Sequence, residues 1–202
     1  EDELLAYIPS QQLNEALLAT TLNKIDSNVK YSIQKLENKN WNQEWEAQFD
    51  PLTIADKVHI RADFHPASKH QYEIVITPKM SFGTGHHQTT HLMCESMMGM
   101  DFGSKRVLDM GSGTGVLAIL AEKRGATDIV AIDIEEWSAE NCADNALKND
   151  CQHIQSLHGG MEVIPSEPFD YILANTNKNV LTAQMSTYAE RMKTGGHLFL
   201  SG

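Results

Sequence analysis

The pattern of apolar and polar positions along this chain of 202 residues changes near residue 80. Beyond that point, short apolar runs typical of buried strands alternate with segments whose apolar residues lie three or four positions apart, as on one face of a helix. The predicted strands are Arg106–Met110, Ile129–Asp133, His153–Leu157, Tyr171–Ala174 and His197–Ser201, and the predicted helices are His86–Met100, Val116–Arg124, Ser138–Asn149 and Lys178–Met192. This alternation predicts an α/β fold with a doubly wound, parallel, Rossmann-like sheet.

The first 80 residues contain shorter and more mixed segments, which predict a smaller α+β unit. Its predicted elements are a helix from Gln11 to Lys24 with Ser10 as N-cap, and strands at Val29–Leu36, Lys57–Ala62 and Tyr72–Ile76. Trp41, Trp45 and Phe49 recur every four positions, so on a helix they share one face. This spacing is compatible with core packing and with a substrate contact, and it leaves both open.

Charge and composition narrow the class of protein. The formal net charge is −11 at pH 7, which disfavours direct nucleic-acid binding because such binding uses an excess of Lys and Arg. No apolar run approaches the roughly 18 residues of a membrane span, and the acidic first residues do not resemble a signal peptide. The three cysteines form no CxxC pair, which indicates free thiols in a reducing compartment. We therefore expect a cytoplasmic protein with no membrane partner.

A glycine-rich loop follows the first predicted strand of the larger sheet. Gly111, Gly113 and Gly115 form a GxGxG pattern before a helix, and Asp109 lies two residues ahead of it. Glycines let a ligand approach the backbone closely, whereas a dinucleotide-binding loop has the spacing GxGxxG. A carboxylate at this position would repel the negative charge of a pyrophosphate. It favours a cofactor with a cationic amino group and a sulfonium. The loop therefore predicts S-adenosyl-L-methionine as the cofactor.

A second acid, Asp133, ends the next predicted strand. Doubly wound folds place an acid here, where its carboxylate accepts hydrogen bonds from ribose hydroxyls. We expect Ile134 to lie against the adenine face. The stretch from His158 to Glu162 has no Asp where such folds often bind the adenine amine, so backbone groups are expected to read the adenine.

Histidines invite a metal interpretation, which the sequence does not support. His87 and His91 would share one helical face, next to His86. Because there is neither an HExxH pattern nor an acid to complete a ligand set, we predict no metal site. We expect a hydrogen-bonding role for His86.

Several segments of the chain resemble those of a known family. The string Ser81-Phe82-Gly83-Thr84-Gly85-His86-His87-Gln88-Thr89-Thr90 resembles the segment that precedes the cofactor domain of ribosomal protein L11 methyltransferases. Further similarity lies in Trp41, Trp45, Phe49 and Pro51, in the loop from Leu108 to Gly115, and in Ala174-Asn175. The resemblance covers about residues 40–202.

The resemblance implies N-methylation of lysine side chains and of the N-terminal amine of ribosomal protein L11. It also implies a ferredoxin-like N-terminal domain for substrate recognition (residues 1–65), a linker and cofactor-covering loop (66–85) and a methyltransferase domain (86–202). Both domains are expected to be incomplete, at the front of the first and after the last strand of the second. By position, Thr90, Gly111, Asp133 and Asn175 correspond to cofactor-binding residues of the family.

The expected site combines these assignments. The expected cofactor-binding residues are Phe82, Gly83, Thr84, Thr90, Asp109, Gly111, Gly113, Gly115, Asp133, Ile134 and Asn175. Asn175 ends a strand at the sheet edge where ligands bind, and it is the expected catalytic residue because it would position the methyl donor and the acceptor amine. Phe82, Gly83 and Thr84 are expected to cover the cofactor.

The chain also departs from the family pattern. Ser81 and Gln88 stand in place of Ala and Pro, and Ser112 in place of a common Cys; Thr176-Asn177 follows Asn175 where Ile-Leu is usual. The last change could alter the target pocket. Two alternatives therefore stay open: methylation of another protein, a small amine or a nucleobase, and a non-catalytic domain that binds a nucleotide-like ligand.

Overall fold

A computed structural model of the chain describes residues 8, 12–26, 29–33, 49–77 and 83–202. Contacts divide the chain into two compact units, residues 1–41 and 42–202. In the first unit, helix α1 (Glu15–Ile25) begins after Asn14, whose side chain accepts a hydrogen bond from the backbone N–H of Leu17 at 3.0 Å. The helix therefore starts later than predicted, and the predicted cap, Ser10, lies outside the described residues.

The predicted strand Val29–Leu36 is wrong over its described part. Residues 29–33 form no strand, and the side chains of Val29, Tyr31 and Ile33 are all exposed. An alternating pattern yields a strand only where neighbouring strands and a buried face support it. Residues 34–36 of this prediction, as well as Trp41 and Trp45, lie outside the described residues.

The second unit contains a small sheet of three strands. These are β1 (Leu52–Ile54), β2 (Val58–Ala62) and β3 (Tyr72–Ile76), in that spatial order. β1 runs antiparallel to β2, and β3 runs parallel to it. β1 was not predicted, because three residues are too few to show a period of two.

The larger sheet has five parallel strands, which confirms the predicted fold class. They are β4 (Arg106–Met110), β5 (Asp128–Asp133), β6 (Ile154–His158), β7 (Phe169–Asn175) and β8 (Met192–Ser201), in the order β6-β5-β4-β7-β8. The chain leaves β4 toward one side of the sheet and later returns to its other side with β7. A switch point of this kind creates a crevice at the carboxyl ends of the two central strands.

Four helices accompany the larger sheet, close to their predicted positions; the first precedes β4 and the other three connect its strands. They are α2 (Gln88–Met97), α3 (Val116–Lys123), α4 (Glu136–Lys148) and α5 (Lys178–Arg191), with a 3₁₀ turn at Met161–Val163. α2 is shorter than predicted, because the ring of His87 accepts the backbone N–H of Thr89 at 3.3 Å and caps the helix there. No helix in the described ranges is both long enough and apolar enough to cross a membrane.

Two hydrophobic clusters form the core of the second unit. The larger one combines Ile60 and Ile74 of the small sheet with Met93 of α2 and Ile119 of α3. The other includes Leu108, Ile132, Ile172 and Tyr188. Because the small sheet shares a core with the larger sheet, the contact division falls at residues 41 and 42, earlier than the predicted boundary at residue 65. The ferredoxin-like form of an N-terminal domain stays a prediction.

Candidate functional site

The carboxyl ends of β4, β5 and β7 bring predicted site residues to one edge of the larger sheet. Met110 pairs with Ile132 of β5 and with Ala174 of β7. The residues that directly follow these three, Gly111, Asp133 and Asn175, therefore lie along the same edge. Ligands of doubly wound sheets bind at this edge, so the fold collects the residues as predicted.

The loop from Gly111 to Gly115 makes a tight turn beyond β4. The backbone N–H of Gly111 donates to the carbonyl of Ile132 at 2.8 Å. Gly111 and Gly115 have φ angles of +74° and +79°, in the region that favours glycine. A Cβ at Gly115 would lie 2.6 Å from Sγ of Cys142, and one at Gly111 would lie 2.5 Å from Cγ2 of Thr176. Both conformation and space therefore require glycine at these positions.

Asp109 lies in β4, just before this loop, and is only 1% exposed. Its Oδ2 accepts the backbone N–H of Ala118 at 3.1 Å, so the carboxylate satisfies the first turn of α3. Burial raises the pKa of Asp109 to about 7, the charge of Asp133 adds to the rise, and the bond from Ala118 opposes it. The structure thus gives Asp109 a capping role, and its contact with a cofactor stays a prediction.

The carboxylate of Asp133 joins two loops. Its Oδ2 accepts the backbone N–H of Gly113 at 2.8 Å, and its Oδ1 accepts that of Glu135 at 3.0 Å. Each carboxylate oxygen has a further lone pair, so both can also accept a sugar hydroxyl. The bond to Gly113 was not anticipated from the sequence, and it connects the expected ribose acid to the cofactor loop.

Thr90 and Asn175, which are 85 positions apart, meet through a hydrogen bond. Nδ2 of Asn175 donates to Oγ1 of Thr90 at 3.0 Å. Thr90 is fully buried in α2, whereas Asn175 is partly exposed at the end of β7. The bond fixes the amide of Asn175 and leaves its Oδ1 as an acceptor facing no described donor. This geometry suits the expected positioning role.

The segment before α2 contacts the cofactor loop. Oγ1 of Thr114 donates to the carbonyl of Gly83 at 2.6 Å. The ring of His86 bonds to Oγ1 of Thr84 at 3.2 Å and to the carbonyl of Asp50 at 2.9 Å, so His86 has the hydrogen-bonding role that was expected. Phe82 lies outside the described residues, and the covering function of the segment stays a prediction.

The end of β5 presents an apolar side chain at the sheet edge. Ile134 is 73% exposed, and its carbonyl is bonded to Nε2 of His158 at 3.0 Å. The backbone N–H of Gly159 donates to the carbonyl of Asp133 at 2.9 Å. Ile134 is therefore accessible to a flat ring, although its contact with adenine stays a prediction.

Other reactive groups of the described chain do not form a competing site. No three His, Cys, Asp or Glu residues within the described ranges are grouped to hold a metal ion. Cys94, Cys142 and Cys151 are unpaired, and burial raises the pKa of each thiol to about 12. These thiols stay protonated at neutral pH and are poor nucleophiles.

Two buried asparagines near the loop were missed in the sequence. Nδ2 of Asn145 donates to the carbonyl of Thr114 at 2.9 Å, and Asn149 lies one helical turn further along. The signal was present, since two amides recur at i and i+4 on the same face as the buried Cys142 and Ala146. A polar pair within an apolar helix face indicates buried hydrogen-bond partners.

The chain matches known proteins along its whole length. The family model for ribosomal protein L11 methyltransferase (PrmA) matches residues 1–202. A ribosomal protein L11 methyltransferase of Porphyromonas gingivalis is 46% identical over 175 residues, which cover 85% of this chain and 60% of the relative. One of Phocaeicola vulgatus is 40% identical over 208 residues, covering 100% of this chain and 74% of the relative.

Solved structures show the same fold. The crystal structure of a ribosomal protein L11 methylase from Lactobacillus delbrueckii subsp. bulgaricus superposes with a TM-score of 0.69 at 27% identity, covering 76% of this chain and 80% of that one. A Thermus thermophilus 16S rRNA methyltransferase in complex with AdoMet and guanosine superposes with a TM-score of 0.53 at 23% identity, covering 59% and 36%. The second likeness concerns the fold alone.

Proposed function

Because the chain belongs to the ribosomal protein L11 methyltransferase family, we propose that it transfers methyl groups from S-adenosylmethionine to amines of ribosomal protein L11 in the cytoplasm. The acceptors are lysine side chains and the N-terminal amine. The observation that carries the proposal is the bond between Asp133 and Gly113, at the sheet edge that also carries Asn175. This bond links the acid that we expect to bind the ribose to the glycine loop.

The described residues fit S-adenosylmethionine in three respects. The loop turns through Gly111, Gly113 and Gly115, all at positive φ, and such a glycine turn lets a ligand approach the backbone closely. Both oxygens of Asp133 retain a lone pair for ribose hydroxyls. The raised pKa of the buried Asp109 favours a cationic ligand, since a nearby positive charge stabilises the ionised carboxylate. The glycine loop and Asp109 would hold the amino-acid end, Asp133 the ribose, and Ile134 the adenine.

The chemistry of the reaction is a displacement at a methyl group. When bound, S-adenosylmethionine supplies a methyl group on a positively charged sulfur, which a neutral amine displaces. A good leaving group is already present, so the protein contributes mainly alignment of the reactants. The strand ends and the glycine loop provide this alignment, because they are fixed by the backbone hydrogen bonds of the central sheet.

Asn175 is the residue that we assign to the acceptor amine. A lysine amine has a reference pKa near 10.4 and must lose a proton before it reacts. Transfer into a site with little water lowers this pKa. With Nδ2 of Asn175 held by Thr90, Oδ1 can accept an N–H of the neutral amine and orient its lone pair toward the methyl group.

Mass spectrometry tests the proposal. The full chain is incubated with ribosomal protein L11 and S-adenosylmethionine, and methylated lysines and the N-terminus are mapped in the product peptides. We expect methyl groups on L11 amines. For Asn175→Ala we expect a large decrease in kcat that exceeds any loss of cofactor affinity, because Asn175 is expected to orient the acceptor amine as well as the methyl donor. Parallel reactions contain other ribosomal proteins, small amines and RNA.

The outcomes separate the alternatives. Methylation of a different acceptor, with L11 unmodified, would reject L11 as the substrate and retain the methyltransferase activity. Cofactor binding without methylation of any acceptor would favour a non-catalytic domain. Absence of binding would reject the proposed function entirely.

A further inference from the structure

A buried hydrogen-bond chain links the cofactor loop to the small sheet. Asn145 of α4 is fully buried; its Nδ2 donates to the carbonyl of Thr114 at 2.9 Å, and its Oδ1 accepts the backbone N–H of Thr77 at 2.8 Å. Thr114 is also fully buried, and its hydroxyl donates to the carbonyl of Gly83 at 2.6 Å. One side chain thus ties the loop residue between Gly113 and Gly115 to the residue that follows β3.

Asn149 provides an internal comparison on the same helix. Its Oδ1 accepts the backbone N–H of Val75 at 2.9 Å, and its Nδ2 donates to the carbonyl of Val75 at 2.6 Å. Asn149 therefore satisfies the edge of β3 as a neighbouring strand would. Both asparagines are buried, at the end of α4 and at its C-cap, and each bonds to the backbone of β3 or of the residue that follows it. Within the described ranges, only Asn145 of the two also reaches Thr114.

We propose that Asn145 is a positioning residue for S-adenosylmethionine, holding Thr114 and its two flanking glycines in the conformation that receives the cofactor. The inference rests on the proposed function. The position of Thr114 also affects the ribose acid, because the adjacent N–H of Gly113 is bonded to Asp133 at 2.8 Å. A displaced Thr114 would therefore disturb both the glycine loop and the orientation of Asp133, the two parts of the site that are expected to hold the cofactor.

Loss of the amide has a physical consequence at the loop. Without Asn145, the buried carbonyl of Thr114 and the partly buried N–H of Thr77 lose a hydrogen-bond partner, and unpaired polar groups are unfavourable where water is scarce. The loop can relieve this by moving toward water, away from its binding conformation. Because Asn145 touches none of the reacting atoms, the loss should appear in cofactor affinity and not in turnover at saturating cofactor.

The test compares Asn145→Ala with Asn149→Ala in the full chain. Calorimetric titration with S-adenosylmethionine gives Kd, thermal unfolding gives Tm, and methylation of L11 gives kcat and KM. For Asn145→Ala we expect Kd and KM for the cofactor to rise about tenfold or more, with kcat within about twofold of wild type. For Asn149→Ala we expect a lower Tm and unchanged Kd.

A second pair of variants covers the case in which the alanine variants fail to fold. Asn145→Asp keeps an acceptor for the N–H of Thr77, Asn149→Asp keeps one for the N–H of Val75, and both lose the amide donor. We expect weaker cofactor binding only for Asn145→Asp. If the Asn145 and Asn149 variants of a pair lost the same affinity for S-adenosylmethionine, or if both kept wild-type affinity, the positioning role of Asn145 would be overturned. A wild-type protein that does not bind S-adenosylmethionine would instead overturn the proposed function, and this inference with it.

Discussion

Two carboxylates of neighbouring strands, Asp109 and Asp133, are held in different surroundings and are suited to different tasks. Asp133 accepts backbone N–H groups at both oxygens, from Gly113 and Glu135, and is oriented by them. Asp109 is almost completely buried and accepts one described backbone N–H, that of Ala118. Asp133 is therefore suited to hydrogen bonding with a sugar, and Asp109 to responding to the charge of a ligand.

Replacement of Asp133 by Asn should weaken cofactor binding. Hydrogen bonds to a charged group contribute about 1.5–3 kcal/mol, so we expect Kd for S-adenosylmethionine to rise about ten- to hundredfold in calorimetric titrations. Asp128→Asn is the matched control, because Asp128 lies at the opposite end of β5 and pairs with Arg106 at 2.6 Å. Equal Kd values for the two variants would contradict the assignment of Asp133.

The raised pKa of Asp109 predicts how cofactor affinity depends on pH. The carboxyl titrates near 3.8 in its ordinary state and near 7 in the folded protein. Between these values the folded state binds a proton that the unfolded state has lost, so the contribution of Asp109 to stability falls as pH rises toward 7. A cationic ligand binds more tightly to the ionised form of the Asp109 carboxyl than to the protonated form. Its affinity should therefore increase as the pH rises to about 7 and change little above it.

Asp109→Asn is the control for this pH dependence. The variant keeps an oxygen that can accept the N–H of Ala118 but has no titrating group. Calorimetry at several pH values, in buffers of different ionisation enthalpy, measures both Kd and the number of protons released on binding. We expect proton release below about pH 7 in the wild type and less in the variant. If Kd depended on pH in the same way in the wild type and in Asp109→Asn, Asp109 would be excluded as the source of the pH dependence.

At the scale of elements, the loop and α4 are packed so closely that one methyl group matters. The backbone of Gly115 lies against Cys142 of α4, and the neighbouring Thr114 is bonded to Asn145 of the same helix. α4 therefore fixes the cofactor loop by a steric contact and by a hydrogen bond. Loop geometry thus depends on a helix that contributes no predicted site residue.

Gly115→Ala should destabilise the protein more than Gly195→Ala. Both glycines have a φ of +79°, but a Cβ at Gly195 meets nothing within 4 Å, whereas one at Gly115 lies 2.6 Å from Sγ of Cys142. The left-handed conformation costs about 1–2 kcal/mol for alanine, and overpacking adds about 1–3 kcal/mol. Urea unfolding should show a loss of unfolding free energy of about 1–2 kcal/mol for Gly195→Ala and about 2–5 kcal/mol for Gly115→Ala. An equal loss of unfolding free energy in the two variants would show that Cys142 moves away from the added methyl group at no cost.

For the whole molecule, periodicity predicted the regular part of the fold well. The five strands of the larger sheet and their helices were found because alternating βα units bury long apolar runs. The predicted site residues Gly111, Asp133 and Asn175 lie at, or directly after, the ends of strands that share one edge, and their contact with a cofactor stays a prediction. What the sequence did not reveal were contacts between distant segments, such as Asn145 with Thr77 and Thr114, because such contacts depend on packing of the complete unit.

The small sheet illustrates the same limit. Two of its strands were predicted. Their packing into one hydrophobic core with the larger sheet was not predicted, because a local pattern does not identify the partner of an apolar face. This packing brings β3, and with it Thr77, next to α4. Thr77, which belongs to the predicted linker and cofactor-covering loop (66–85), therefore contributes to the surroundings of the cofactor loop.

The most direct test of the cofactor site is a crystal structure of the full chain bound to S-adenosylmethionine. We expect the ribose hydroxyls within hydrogen-bond distance of the carboxylate of Asp133, and the amino-acid end of the cofactor against the loop from Gly111 to Gly115. A complex with the cofactor bound elsewhere, or with a pyrophosphate compound occupying the loop, would contradict this placement.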